Sequence, residues 1–175
     1  MLQNSMINID DTRFIYGTNF TGDPERDRFG DIRRKALIVL PDPALAQQLR
    51  EEGVNIRETR PYRDQDPAEF VPEYFVPIYL KYNKRDGSPV RYLPKVYLVQ
   101  DNGDIKPLTE ETVAILDNIR IKNVNVSCAL REYDPITHRK NLYIRTLYVE
   151  QSIDDDPYAA RYAARREAFA EESPF

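Results

Sequence analysis

Three stretches of this chain set a tyrosine two residues from a cation: Tyr79 with Lys81, Lys95 with Tyr97, and Tyr143 with Arg145. In a β-strand successive side chains alternate between faces, so residues two apart point the same way. Each pair therefore places an aromatic ring beside a positive charge. Aromatic rings stack on nucleobases while Lys and Arg track phosphates, and sequence-tolerant single-strand surfaces combine the two. Arg120 and Lys122 bring two more cations to a face that continues as Val124 and Val126. The Arg33-Arg34-Lys35 cluster and the Arg26/Arg28 loop offer further phosphate contacts. The same pairs are equally what the wet faces of amphipathic strands carry, with tyrosine half covering a core.

Other chemistry is poorly supplied. The chain has one histidine, His138, in a turn, and one cysteine, Cys128, in an apolar strand-like stretch, with no zinc-type spacing. A nucleophile needs a basic companion and a strained elbow, and neither is visible. Six glycines are scattered singly, so no phosphate cradle forms. Asp154-Asp155-Asp156 read as a solvated hinge rather than a magnesium site, because three consecutive acids point in different directions. The expectation is a non-enzyme without cofactor or metal.

The elements that must carry the pairs are mostly strands. Residues 12–20 (TRFIYGTNF), 33–40 (RRKALIVL), 54–60 (VNIRETR), 73–83 (EYFVPIYLKYN), 95–100, 118–132 and 141–151 read as seven strands, the last two as a hairpin. Pro77 cannot donate to a ladder, which predicts an edge strand or a bulge there. Asp42 as N-cap, Pro43 as first helical residue and Gly53 as stop predict a helix over 44–52, with Leu45 and Leu49 on the sheet. Thr109 predicts the cap of a second short helix over 110–116. The Pro-rich stretch 61–72 reads as a loop, and a turn region spans 84–93. The fold class is mainly β: an antiparallel barrel or a wrapped sheet with two short helices. Two parts are expected, a body over 1–152 and an acidic, alanine-rich tail over 153–175.

Length and composition suit that division. There are 175 residues, 41% hydrophobic and 31% charged, with 12 Tyr, seven Phe and no Trp; the mean hydropathy is -0.64. No run of 18 apolar residues predicts a membrane span, and no secretory signal is read at Met1-Leu2-Gln3-Asn4-Ser5. One cysteine fits a reducing compartment, so a cytoplasmic setting is expected. Of the net charge of -4, the tail holds six acids and three arginines, leaving -1 for the body. A body so balanced has no global basic field, and any nucleic-acid affinity must come from local clusters and stacking.

Acids followed by a terminal Pro-Phe, here Glu171, Glu172, Pro174 and Phe175, resemble the tip of bacterial single-stranded DNA-binding proteins. Ser173 stands where that family usually has an apolar residue, and the acid run is shorter. The resemblance implies a flexible end that docks on replication and repair proteins through its carboxylate and the Phe ring. From about Phe14 to Tyr162 the body resembles phage-encoded proteins found near recombination genes and regarded as single-stranded DNA-binding. The carriers are Asn19-Phe20-Thr21-Gly22, the segment 30–33, Gly53-Val54-Asn55-Ile56, Leu116-Asp117 and Tyr148-Val149. This resemblance implies an oligonucleotide-binding (OB) fold with elaborations. It also implies single-stranded DNA as partner inside a bacterial host, with self-association possible. A different class also fits the near-neutral body: a phage interaction or inhibitor module that never touches DNA and extends a partner's sheet from the strand around Pro77.

Overall fold

The computed structural model describes residues 6–27, 30 and 32–152. Among the described residues nine strands form one mixed sheet: β1 (Met6–Thr12), β2 (Phe14–Asn19), β3 (Arg34–Leu40), β4 (Arg57–Glu58), β5 (Tyr74–Leu80), β6 (Lys95–Val99), β7 (Ile105–Leu108), β8 (Ile121–Asp134) and β9 (Arg139–Gln151). The pairing order is β1-β8-β9-β5-β3-β2, with β4 on β5, and β6 on both β7 and β9.

The two ends of that order are halves of one segment. β1 pairs with β8 and β2 with β3. Between them the chain bends at Asp11, whose φ is 50°, and Arg13. Val39 N–H donates to Arg13 O at 3.0 Å and anchors the bend. The sheet thus wraps over one core without closing into a barrel. The wrapped alternative is the one observed, and the antiparallel expectation fails at two places. β5 and β6 both run parallel to β9, at Ile78/Tyr79 beside Leu142/Tyr143 and at Lys95–Val99 beside residues 146–150.

Length explains the parallel pairings. β9 has 13 residues, enough for β8 to cover one edge while β5 and β6 share the other. β5 is consequently interior, and the edge predicted at Pro77 does not exist. Phe75 and Tyr74 pair with β4, while Ile78 and Tyr79 pair with β9. Pro77 falls in the gap between these partners, so on that side no ladder bond is asked of it.

Inward residues alternate as a half-buried sheet requires: Ala36, Ile38 and Leu40 on β3, Val76, Ile78 and Leu80 on β5, and Leu142 and Ile144 on β9. The helix α1 (Pro43–Glu51) starts as its caps dictate, with Asp42 Oδ1 accepting from Ala44 N–H at 2.9 Å. It buries Ala46 and Leu49, while Leu45 is only half-buried. A fully buried leucine is worth about 1.5–3 kcal/mol. The second helix is a 3-10 turn, Val113–Asn118, rather than an α-helix over 110–116. Its buried residues, Val113 and Leu116, are three apart, the repeat of a 3-10 helix. The polar stretch 54–60 keeps only the two residues of β4, and β7, masked in the sequence by Pro107, adds an unexpected outer strand.

Candidate nucleic-acid interface

β9 is the spine of the site. Its inward residues Leu142, Ile144, Leu147 and Val149 are buried, and the spacing slips between Ile144 and Leu147. The cause is a bulge: Thr146 faces Ser127 and Ile144 faces Cys128, leaving Arg145 as the extra residue. The outward face therefore runs Tyr143, Arg145, Tyr148, and each of these meets an aromatic ring from a neighbouring segment.

At Tyr143 the partner is Tyr79 of β5, directly opposite in register, with ring centroids 5.9 Å apart. The Arg33 guanidinium lies 4.6 Å from the Tyr79 ring centre, and Lys81 Nζ lies 5.9 Å from that of Tyr143. At Arg145 the partner is Tyr92: the guanidinium sits 4.9 Å over its ring, with Arg91 at 5.2 Å. At Tyr148 the partner is Tyr97 of β6, stacked at 4.7 Å and 23°, with Lys95 on the same strand beside Thr146. From Tyr143 to Tyr148 is roughly 16 Å of strand. All three tyrosine-cation pairs of the sequence thus share one sheet face.

Two grooves flank the Tyr79–Tyr143 pair. One, of about 750 Å³, is lined by Tyr16, Arg26, Lys35, Leu37, Arg57, Pro77 and Tyr79, with Asp27 and Asp117. The other, of about 550 Å³, is lined by Lys81, Lys84, Arg91, Tyr92, Arg131, Tyr133, Tyr143 and Arg145, with Glu132. Among the described residues three cations line the first and five the second, against three acids in all. The acids are engaged: Asp27 Oδ1 is 2.6 Å from Lys35 Nζ, and Glu132 Oε2 is 3.3 Å from His138 Nδ1.

Asp117 holds a loop. It accepts from Thr18 Oγ1, Phe20 N–H, Thr21 N–H and Thr21 Oγ1 at 2.6–2.8 Å. Burial raises its pKa, but the hydrogen bonds from Thr18 and Thr21 and from the Phe20 and Thr21 N–H groups outweigh it, leaving the value below the ordinary one. Asn19 closes the same loop, its Oδ1 accepting from Gly22 and Asp23 N–H. Gly22 has φ +75°, and a Cβ there would lie 2.9 Å from Ile32 O. The Asn19–Gly22 and Leu116-Asp117 segments are therefore one clamp that positions Arg26 over the first groove.

The remaining candidates lie elsewhere. Arg34 is on the core face, donating to Phe20 O at 2.6 Å with its guanidinium 5.6 Å from the Tyr82 ring. Lys122 lines a separate cleft with Asp11, Arg13 and Glu73, and Arg120 is exposed beside Ser152, away from the aromatic pairs. Arg28 and the tail residues Glu171, Glu172, Pro174 and Phe175 lie outside the described residues. Lys84, Arg91, Tyr92, Arg131 and Tyr133 join the second groove without any signal in the sequence. Burial pushes the Cys128 thiol far up, which leaves it inert.

No protein-family model matches the chain, and no curated protein matches it. A solved structure is similar. It is the crystal structure of gp2.5, a single-stranded DNA binding protein encoded by bacteriophage T7, at 11% identity and a TM-score of 0.39. The match covers 89% of this chain and 93% of that one. Among the described residues no helix is long and apolar enough to cross a membrane.

Proposed function

We propose that this is a non-catalytic, sequence-independent single-stranded DNA-binding protein of phage replication or recombination, acting in the bacterial cytoplasm. The observation that carries the reading is the outward face of β9, where three ring contacts and their cations line up between and beside two basic grooves. Every base has a π-face, so such a track binds any sequence, with about 1–3 kcal/mol per stacked base. A duplex hides those faces and gains only the phosphate contacts. The acidic tip with Pro174-Phe175 recruits replication or recombination proteins, a reading supported by its resemblance to bacterial single-stranded DNA-binding tails. The competing idea, an interaction module that adds a partner strand at Pro77, has lost the edge it relied on, because β5 is flanked on both sides.

Fluorescence anisotropy with labelled oligo-dT over a salt series, with duplex competitor, tests the DNA reading. Binding to single strands that weakens with salt is expected; absence of binding at low salt, or equal preference for duplex, overturns it. Removing Glu167–Phe175 is expected to leave DNA affinity unchanged or higher, since an acidic tail competes for cationic grooves. Loss of DNA binding on truncation overturns the tail assignment.

A further inference from the structure

Tyr16 sits in an unusual backbone. Its φ is 62° and that of Gly17 is 85°, within a bulge that interrupts the pairing of β2 and β3 between Ile15 and Thr18. L-residues other than Asn, Asp and His seldom adopt this conformation, and they keep it only where the surroundings demand it. The bulge has a definite consequence. Phe14 faces Ile38 and so points to the core, and regular alternation sends Tyr16 there too. The two left-handed residues instead turn its ring out to the opposite face, edge-on to Phe75 at 5.4 Å. It remains 67% exposed. Re-aiming a side chain is what bulges do.

The ring's new position is a corner between two cationic clefts. On one side it lines the groove holding Arg26 and Lys35. On the other it lines a cleft of about 730 Å³ with Arg50, Arg57 and Arg60, where the acid in the lining, Glu58, lies 3.8 Å from Arg50. Arg57 belongs to both. Phosphates have cations before the corner, at it and beyond it, and among the described residues Tyr16 is the one aromatic ring that the two clefts share.

We propose that Tyr16 is a base-stacking residue at which a bound single strand turns from the Tyr79 groove into the Arg50/Arg57/Arg60 cleft, a proposal that rests on the single-strand reading above. Four variants and two oligonucleotide lengths test it. Tyr16→Phe keeps the π-face, Tyr16→Leu keeps only apolar cover for Phe75, Tyr16→Asn suits the left-handed backbone, and Tyr143→Ala removes the other station. For oligo-dT of about sixteen nucleotides, Tyr16→Leu and Tyr16→Asn are expected to lose roughly 5- to 150-fold in affinity, the worth of one stacked base. Tyr16→Phe is expected to bind like wild type. For oligo-dT of about four nucleotides, which the Tyr79–Tyr143 pair accommodates, only Tyr143→Ala is expected to lose affinity. Tyr16→Asn is expected to melt no lower than wild type, because Asn tolerates the left-handed backbone, so its affinity loss reports lost stacking and not unfolding. Photocrosslinking with 5-iodouracil oligonucleotides is expected to label Tyr16. If Tyr16→Leu and Tyr16→Asn bind the longer oligonucleotide as wild type does, Tyr16 only covers Phe75 and the proposal falls while the single-strand reading stands. If wild type binds neither length, both fall.

Discussion

Replacing Tyr143 by alanine removes the ring of the β9 face that stands between the two grooves, without touching the core. The ring is half-buried and contacts Tyr79 at 5.9 Å, while its strand neighbours Leu142 and Ile144 carry the inward packing. Losing one aromatic pair costs about 0.5–1.5 kcal/mol of stability beyond area burial, small against the roughly 5–15 kcal/mol of a typical domain. The variant should therefore fold. Its DNA affinity should fall by roughly 30-fold, taking about 2 kcal/mol for one stacked base and about 1.4 kcal/mol per tenfold. Tyr143→Phe should stay within about twofold, because stacking uses the ring face. Tyr79 and Tyr143 touch, so they lend surface to the same base and their losses should not multiply. The double alanine variant should lose less than the product of the single losses. Anisotropy titrations at several salt concentrations make the measurement, and the slope of log affinity against log salt should not change, since no cation has been removed. Wild-type affinity in Tyr143→Ala would refute the reasoning, as would a loss that vanishes at high salt.

Arg145→Ala should flatten the salt slope by about 0.7, one single-strand phosphate, whereas Arg34→Ala should leave the slope alone and lower the melting temperature, because Arg34 binds Phe20 O on the core face. Asp117→Asn should destabilise the protein by on the order of 1–2 kcal/mol at neutral pH after allowing for solvent screening, read by thermal melting. The pKa of Asp117 is lowered in the fold, so its contribution is present above the ordinary value of 3.8 and is lost as pH falls through the folded value. Wild-type stability should drop across that acid window, and the Asn variant should show a flatter profile there. Gly53→Ala should lower the melting temperature by about 2–8 °C, taking roughly 1–2 kcal/mol for the left-handed backbone and about 2–4 °C per kcal/mol at this size, since φ is +97° and a Cβ there would lie 2.6 Å from His138 O.

The aromatic-cation pairs were legible because they lie within strands, where a period of two assigns faces without any tertiary knowledge. Tyr79, Tyr143 and Arg145 are of this kind. Tyr92, Arg91 and Lys84 were not legible, since the turn region around them has no period and only the fold brings Tyr92 under Arg145. Pro77 misled for a related reason. A proline argues against an interior strand only if its neighbours demand a donor, and here β4 and β9 leave a gap at that position. Arg34 and Lys35 are adjacent cations that alternation sends to opposite faces, so counting them as one cluster merged a core-facing group with a groove-lining one. Tyr16 is the converse case, a residue whose face is reversed by a bulge that nothing but Gly17 announces.

Net charge argues against a DNA-binding body only if charges act at a distance, and at physiological salt they do not. The screening length is about 8 Å, so what a phosphate feels on this sheet is set by the side chains lining its groove. Glu150 illustrates the point. It shares the outward face of β9 two residues beyond Tyr148, roughly 7 Å along the strand, where its charge is local to the Tyr97–Tyr148 pair and is engaged by Asn123 Nδ2 at 2.7 Å; at Tyr143, roughly 23 Å away, it is screened. Other acids meet cations away from the aromatic pairs, Glu73 with Arg13 and Glu52 with Lys140. The balance of the whole chain therefore coexists with a cationic excess along the two grooves. The same arithmetic limits how the site can work. With no long-range field to steer a strand in, the groove cations act only on phosphates already beside them, and a large share of the affinity must come from stacking, which salt barely affects. A shallow salt slope together with large losses at Tyr143 is the signature of this architecture, and a steep slope with tolerant tyrosines would describe a different protein.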